Sequence, residues 1–208
     1  SRTAVTIPAG FAIVALDSPS RLVDTRVSGG RFGSSSASGV SVLRLKVAGA
    51  TTVKGVASGL PSTGIGAVAM NVTVVEGKDK GGYGFVTVYP CASASTPVPD
   101  ASNLNFAGGQ TVPNSVLAPL SADGYVCFSV YGDTHLLVDV SGYVPAGSGL
   151  TALDSPKRLV DTRAVGGRFG SSSASGVSVL RLKVAGATTV KGAATGLPST
   201  GIGAVAMN

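Results

Sequence analysis

Residues 12–71 of this chain are written a second time, 137 positions later, as residues 149–208. The copies differ only at Ala12/Gly149, Ile13/Leu150, Val14/Thr151, Ser20/Lys157, Val27/Ala164, Ser28/Val165, Val56/Ala193 and Ser58/Thr195. Val72–Ser148, between them, occurs once, so the sequence holds one full period and the first half of the next. Self-similarity of this kind decides the architecture before any local pattern does. It predicts an N-terminal strand or linker over 1–11, a complete unit over 12–148 and half of a second unit over 149–208. In the first copy "GIGAVAMN" runs on into "VTVVEG", whereas the second copy reaches Asn208 at the same point. The expectation is either a longer array or a half unit completed by strand addition from another chain.

The repeat also changes the meaning of the net charge, which is +6. Residues 12–71 carry six Lys/Arg against two Asp, and residues 72–148 carry two Lys against six acids, so one complete period is neutral. The basic excess comes from counting the basic half twice. No polybasic tract with interleaved aromatics is present, and nucleic acid is not an expected partner. Basic half against acidic half predicts matching surfaces, within a unit or between successive units.

Thirty Gly and eleven Pro, with abundant Val, Ser and Thr, suit short strands joined by tight turns. Apolar runs such as "FAIVAL" (11–16) are too short to cross a bilayer, so membrane insertion is not expected. In "SVLRLKV" (41–47) Leu43, Leu45 and Val47 share one face, with Arg44 and Lys46 on the other. "AVAMNVTVV" (67–75) sets Val68, Met70, Val72 and Val74 inward, and "GFVTVYP" (84–90), "YVCFSVYG" (125–132) and "HLLVDVSGYV" (135–144) alternate likewise. Residues 103–120 read as two more short strands around a Gly-Gly turn. Seven or eight strands per period predict an all-β fold, an antiparallel two-sheet β-sandwich of jelly-roll or immunoglobulin-like type, tandemly repeated. Alternation does not choose the connectivity.

Cys91 and Cys127 are compatible with one disulfide, which fits a secreted setting, or with two small buried thiols. A zinc site is poorly supported, since His135 is the only histidine and no C-x-x-C spacing occurs. No cofactor is expected.

The repeated cluster "RLVDTR" concentrates charge in a chain that has little of it. Arg21, Asp24 and Arg26 recur as Arg158, Asp161 and Arg163. Guanidinium forks pair well with carboxylates, so the expected role is a structural or inter-unit clasp pinning the entry loop to the sandwich or to the preceding unit. The alternative is an arginine left to grip a carboxylate, phosphate or sugar hydroxyl of a ligand. Catalysis is not expected, because the cluster holds no nucleophile with an adjacent base. Asp133, His135 and Asp139 read as a satisfied surface cluster. Asn71-Val72-Thr73 matches a glycosylation sequon inside a predicted strand. Lys46 or Lys54 with Asn71 is a remote candidate for an isopeptide crosslink.

"LDSPSRLVDTR" (16–26), "AVAMNVTVVEG" (67–77), "GFVTVYPC" (84–91), "SNLNFAGGQTVPNSV" (102–116) and "HLLVDVSGYV" (135–144), taken in order, resemble the RLVDTR-type repeat domains of large secreted and surface-attached proteins of actinobacteria and related filamentous soil bacteria. The resemblance covers essentially the whole chain. It implies an extracellular or cell-surface setting and an accessory or structural role, with no catalytic residues to transfer. The expected function is a non-catalytic structural repeat protein whose partner is itself, in a stalk, filament or surface layer. The second expectation is a multivalent glycan- or cell-wall-binding module. Five Tyr, six Phe and no Trp make that a sparse supply of sugar-stacking rings.

Overall fold

The structure is a computed structural model that describes residues 13–33, 40–164, 179–203 and 205–207. The strand or linker expected over 1–11 lies outside the described residues. The strands are β1 (Val14–Asp24), β2 (Val40–Lys46), β3 (Ile65–Lys78), β4 (Gly84–Pro90), β5 (Leu104–Phe106), β6 (Val112–Pro119), β7 (Tyr125–Tyr131) and β8 (Asp133–Pro145). They form two antiparallel sheets of four, ordered β1-β8-β3-β6 and β2-β7-β4-β5. The chain changes sheet at every connection except β4 to β5.

The alternating residues do what alternation requires. Val68, Met70, Val72 and Val74 of β3 are buried, and they meet Val86 and Val88 of β4, Val126, Phe128 and Val130 of β7, and Val138 and Val140 of β8. Each such side chain contributes about 1.5–3 kcal/mol by leaving water. Leu43 and Leu45 pack on this core, while Lys46 on the opposite face is exposed. Glycine shapes one end of the sandwich: a Cβ at Gly84 would lie 2.2 Å from the Phe106 ring and one at Gly77 2.4 Å from it. The missing side chains are the seat of Phe106, which is itself buried.

One expectation changes. The segment before Asp24, read as a turn and entry loop, is an edge strand with a register shift between Ala15 and Ser20 that takes in Pro19. An edge strand tolerates a proline at such an irregularity. The two short strands expected within 103–120 are present on either side of Gly108-Gly109, and they belong to different sheets, β5 pairing with β4 and β6 with β3.

The chain divides into two compact units, the second comprising Pro99–Ala101 and Leu153–Met207. Among the described residues of the second copy none belongs to a strand, yet local structure is kept. Gly186 N donates to Pro198 O at 2.8 Å and Thr189 N to Ala193 O at 2.8 Å, the counterparts of Gly49 to Pro61 and Thr52 to Val56. The isolated bridge Thr188↔Ala194 repeats Thr51↔Ala57.

Candidate functional site

The end of β1 carries the cluster that the sequence singles out, and the structure brings Arg21, Asp24 and Arg26 together. Beyond Asp24 the chain turns, with Val27 N and Ser28 N donating to the Asp24 carbonyl at 3.1 and 3.3 Å. That turn aims Arg26 back at its neighbour: Nε donates to Asp24 Oδ1 at 2.8 Å and Nη2 to Oδ2 at 2.6 Å. Arg21 Nη1 reaches the same carboxylate at 3.3 Å. The Arg26 hydrogen bonds hold the Asp24 carboxyl at about 2, below the ordinary 3.8, against the opposing effect of burial.

Arg21 directs most of its fork elsewhere. Nε donates to Asp139 Oδ1 at 2.7 Å and Nη2 to Oδ2 at 2.8 Å, a bidentate pair across 118 residues of sequence. The Asp139 hydrogen bonds raise the Arg21 guanidinium above its usual value. Thr25 completes the attachment to β8: its hydroxyl accepts Leu136 N–H at 2.9 Å and lies 3.3 Å from His135 Nδ1. Leu22, between the charged residues, is buried in the core. The six residues thus tie one strand end to β8 by a salt bridge, a backbone bond and an apolar anchor.

The same half-to-half pairing recurs further along. Arg31 Nε donates to Asp133 Oδ1 at 2.7 Å and its Nη2 to the Glu76 carbonyl at 2.6 Å. Arg44 Nη2 donates to Asp123 Oδ2 at 2.6 Å, and Lys46 Nζ reaches the Asp123 carbonyl. The Arg44 guanidinium also lies 3.4 Å from the centre of the Tyr125 ring. Arg21, Arg31 and Arg44 of 12–71 therefore meet acids of 72–148 inside one unit. Asp133, His135 and Asp139, adjacent in sequence, are each taken by a different partner. Asn71 Nδ2 donates to Thr73 Oγ1 at 3.2 Å, so the side-chain bonds of Asn71 and Lys46 run to separate partners.

In the second copy, Arg163 Nε and Nη2 donate to Asp161 at 2.9 and 2.6 Å and Arg158 Nη1 at 3.4 Å. The bonds from Arg163, first of all, lower the Asp161 carboxyl, as those from Arg26 lower that of Asp24.

Cys91 and Cys127 are joined, with S–S 2.06 Å. The bond sits on the outer face of the β2-β7-β4-β5 sheet, where Tyr89, Cys91 and Cys127 form a small buried cluster with Val42 and Tyr125 against it. The segment leaving β4 folds back here, and the Tyr89 hydroxyl donates to Thr96 O at 3.4 Å. Further along that face Tyr83, Phe85 and Tyr131 make a row, with centroid separations of 5.3 Å for Tyr83–Tyr131 and 5.2 Å for Phe85–Tyr131. Tyr83 is 55% exposed.

Sequence reasoning missed Thr25, the pairing of Asp139 with Arg21, and the aromatic row. The opposite charges of the two halves were the only sequence signal for the second of these. No protein-family model matches the chain, and neither a curated protein nor a solved structure does.

Proposed function

We propose that the chain is a non-catalytic structural repeat protein of the cell surface or extracellular space, in which jelly-roll units follow one another in a stalk, filament or surface layer. One observation carries the reading: what the sequence repeats is scaffold. Arg21 and Thr25 of the first copy bond to β8, Leu22 enters the core and Asp24 is held by Arg21 and Arg26, and each of these residues recurs in the second copy. A duplicated ligand site would instead repeat side chains aimed at solvent. The sheet orders support the jelly-roll connectivity, since eight strands divided in this way trace two Greek keys. The disulfide is compatible with an oxidising compartment. No helix among the described residues is long and apolar enough to cross a membrane.

Electron microscopy of the purified protein at several concentrations, without reductant, tests the proposal. Regular fibres of constant axial repeat are the expected result; particles that stay discrete at every concentration would overturn self-assembly. A second reading, a glycan-binding module, draws on the row of Tyr83, Phe85 and Tyr131 on one open face. A glycan array with the wild type and Tyr83→Ala decides it, binding that is lost in the variant being the positive outcome.

A further inference from the structure

The turn that ends β8 creates a competitor for β1. Pro145 O accepts from Ser148 N at 3.3 Å and from Ser148 Oγ at 2.6 Å, and Gly147 has φ 79°. This is a tight reversal with glycine at its third position. Directly after it the β1 sequence begins again. In the first copy that sequence lies antiparallel on β8, with Val14 opposite Tyr143, Ala15 opposite Gly142 and Arg21 opposite Asp139. Carried across the 137-residue period, the register sets Thr151 opposite Tyr143, Ala152 opposite Gly142 and Arg158 opposite Asp139. Only residues 144–150 remain to make the connection, a length that joins antiparallel neighbours directly.

We propose that residues 151–197 exchange with residues 14–60 on the half formed by 72–148. In the exchanged arrangement β8 and the second copy form a hairpin, Arg158 takes the Asp139 carboxylate, Thr162 takes the Leu136 amide and Leu159 enters the core in place of Leu22. β3 stays whole throughout, because Ile65–Lys78 lies outside the exchanging stretch.

The side chains that differ between the competitors support interchange. Val14, Val27, Ser28 and Val56 are exposed in the first copy, so their replacements by Thr151, Ala164, Val165 and Ala193 remove no core residue. Ser58 is buried, and Thr195 already makes its bond: Oγ1 donates to Ala187 O at 2.6 Å, as Ser58 Oγ does to Ala50 O at 2.6 Å. The specific loss is the bond from Ser20 Oγ to Ser58 O at 2.9 Å, since Lys157 stands in its place. Against this, Arg158 is nineteen residues from Asp139 in sequence, whereas Arg21 is 118 residues away. The shorter closure costs less chain entropy and forms sooner. Charge does not oppose the exchange, because the counterparts of Arg21, Arg31 and Arg44 in the second copy are again arginines.

The test uses the full chain with Leu22→Asp, Leu159→Asp and both together. Leu22→Asp alone is expected to keep a cooperative urea transition with a lowered midpoint, because the second copy takes over, and the double variant to lose the native transition. Loss of that transition in Leu22→Asp alone, equal to the loss in the double variant, would overturn the proposal. A second measurement traps the pairing. With Asp139→Cys and Arg158→Cys in the Leu22→Asp background, a disulfide within one chain is expected under mild oxidation, and none when Ser155→Cys replaces Arg158→Cys. An Asp139→Cys/Arg158→Cys chain that stays reduced, or bonds only between chains, sinks the exchange within the molecule.

Discussion

The stretch Val14–Asp24 is a β-strand, and the stretch 151–161, which differs from it only at Thr151 and Lys157, is paired to no strand among the described residues. Met70 is 1% exposed, and its counterpart Met207 is 69% exposed. What the two copies do share is a set of contacts that close over a few residues, among them the Asp–Arg clasp, the Thr188↔Ala194 bridge and the Thr195 hydroxyl bond. The comparison separates two kinds of information in one sequence. Turns and clasps are specified by neighbours along the chain and appear in either copy. Strands are specified by partners, and those partners all lie in 72–148. β-propensity in isolation is a fit to a surface that another segment supplies.

The comparison can be broken hardest in the half that occurs once. Phe128→Ala, in a fully buried position with no counterpart elsewhere in the chain, is expected to cost about 3–5 kcal/mol in urea unfolding. Replacing Cys91 and Cys127 with Ser removes a crosslink spanning 36 residues and is expected to cost up to about 4 kcal/mol, read as a lower urea midpoint insensitive to reductant. Asp139→Asn deprives Arg21 of its bidentate carboxylate partner. Its expected cost is about 1–2 kcal/mol, at the lower end of charged hydrogen bonds because the Arg21 side chain is 37% exposed.

Acid titration sharpens the comparison at the clasp. The Asp24 carboxyl ionises near 2 in the folded protein against 3.8 ordinarily, so its contribution is present above about pH 4 and is lost as pH falls toward 2. The double variant Asp24→Asn/Asp161→Asn is expected to flatten that part of the urea-midpoint curve. The smallest effect is expected from moving the second copy's residues into the first. Val14→Thr with Ser20→Lys, which gives up the Ser20 Oγ to Ser58 O bond, is expected to change stability by about 1 kcal/mol or less and to leave amide protection in β1 intact. Loss of β1 protection would show that those two side chains, rather than the missing partners, separate the copies.

Much of the sandwich was legible because half-buried strands announce themselves by alternation, and β2, β3, β4, β7 and β8 fall where that alternation places them. β1 was masked by Pro19, which belongs to an irregularity of the edge strand that no local pattern encodes. Strand order was illegible for the reason the two copies illustrate: Val14 meets Tyr143, and nothing near either residue names the other. At the candidate site the Asp24 to Arg26 clasp could be read from adjacent residues. Asp139 as the second partner could not, since its sequence neighbours Asp133 and His135 turn out to serve other contacts.

The neighbouring placement of β1 and β8 also fixes how a unit answers mechanical load. Val14 opens β1 beside Tyr143, two residues from the end of β8, so tension applied to the unit's two ends pulls one antiparallel ladder apart from a single end. Its hydrogen bonds then fail one after another, like a zip, instead of sharing the load in shear. Once open, the unit still cannot extend fully, because the Cys91–Cys127 bond withholds 36 residues, about 120 Å of contour length. Such a unit is soft to the first pull and firmly limited in reach.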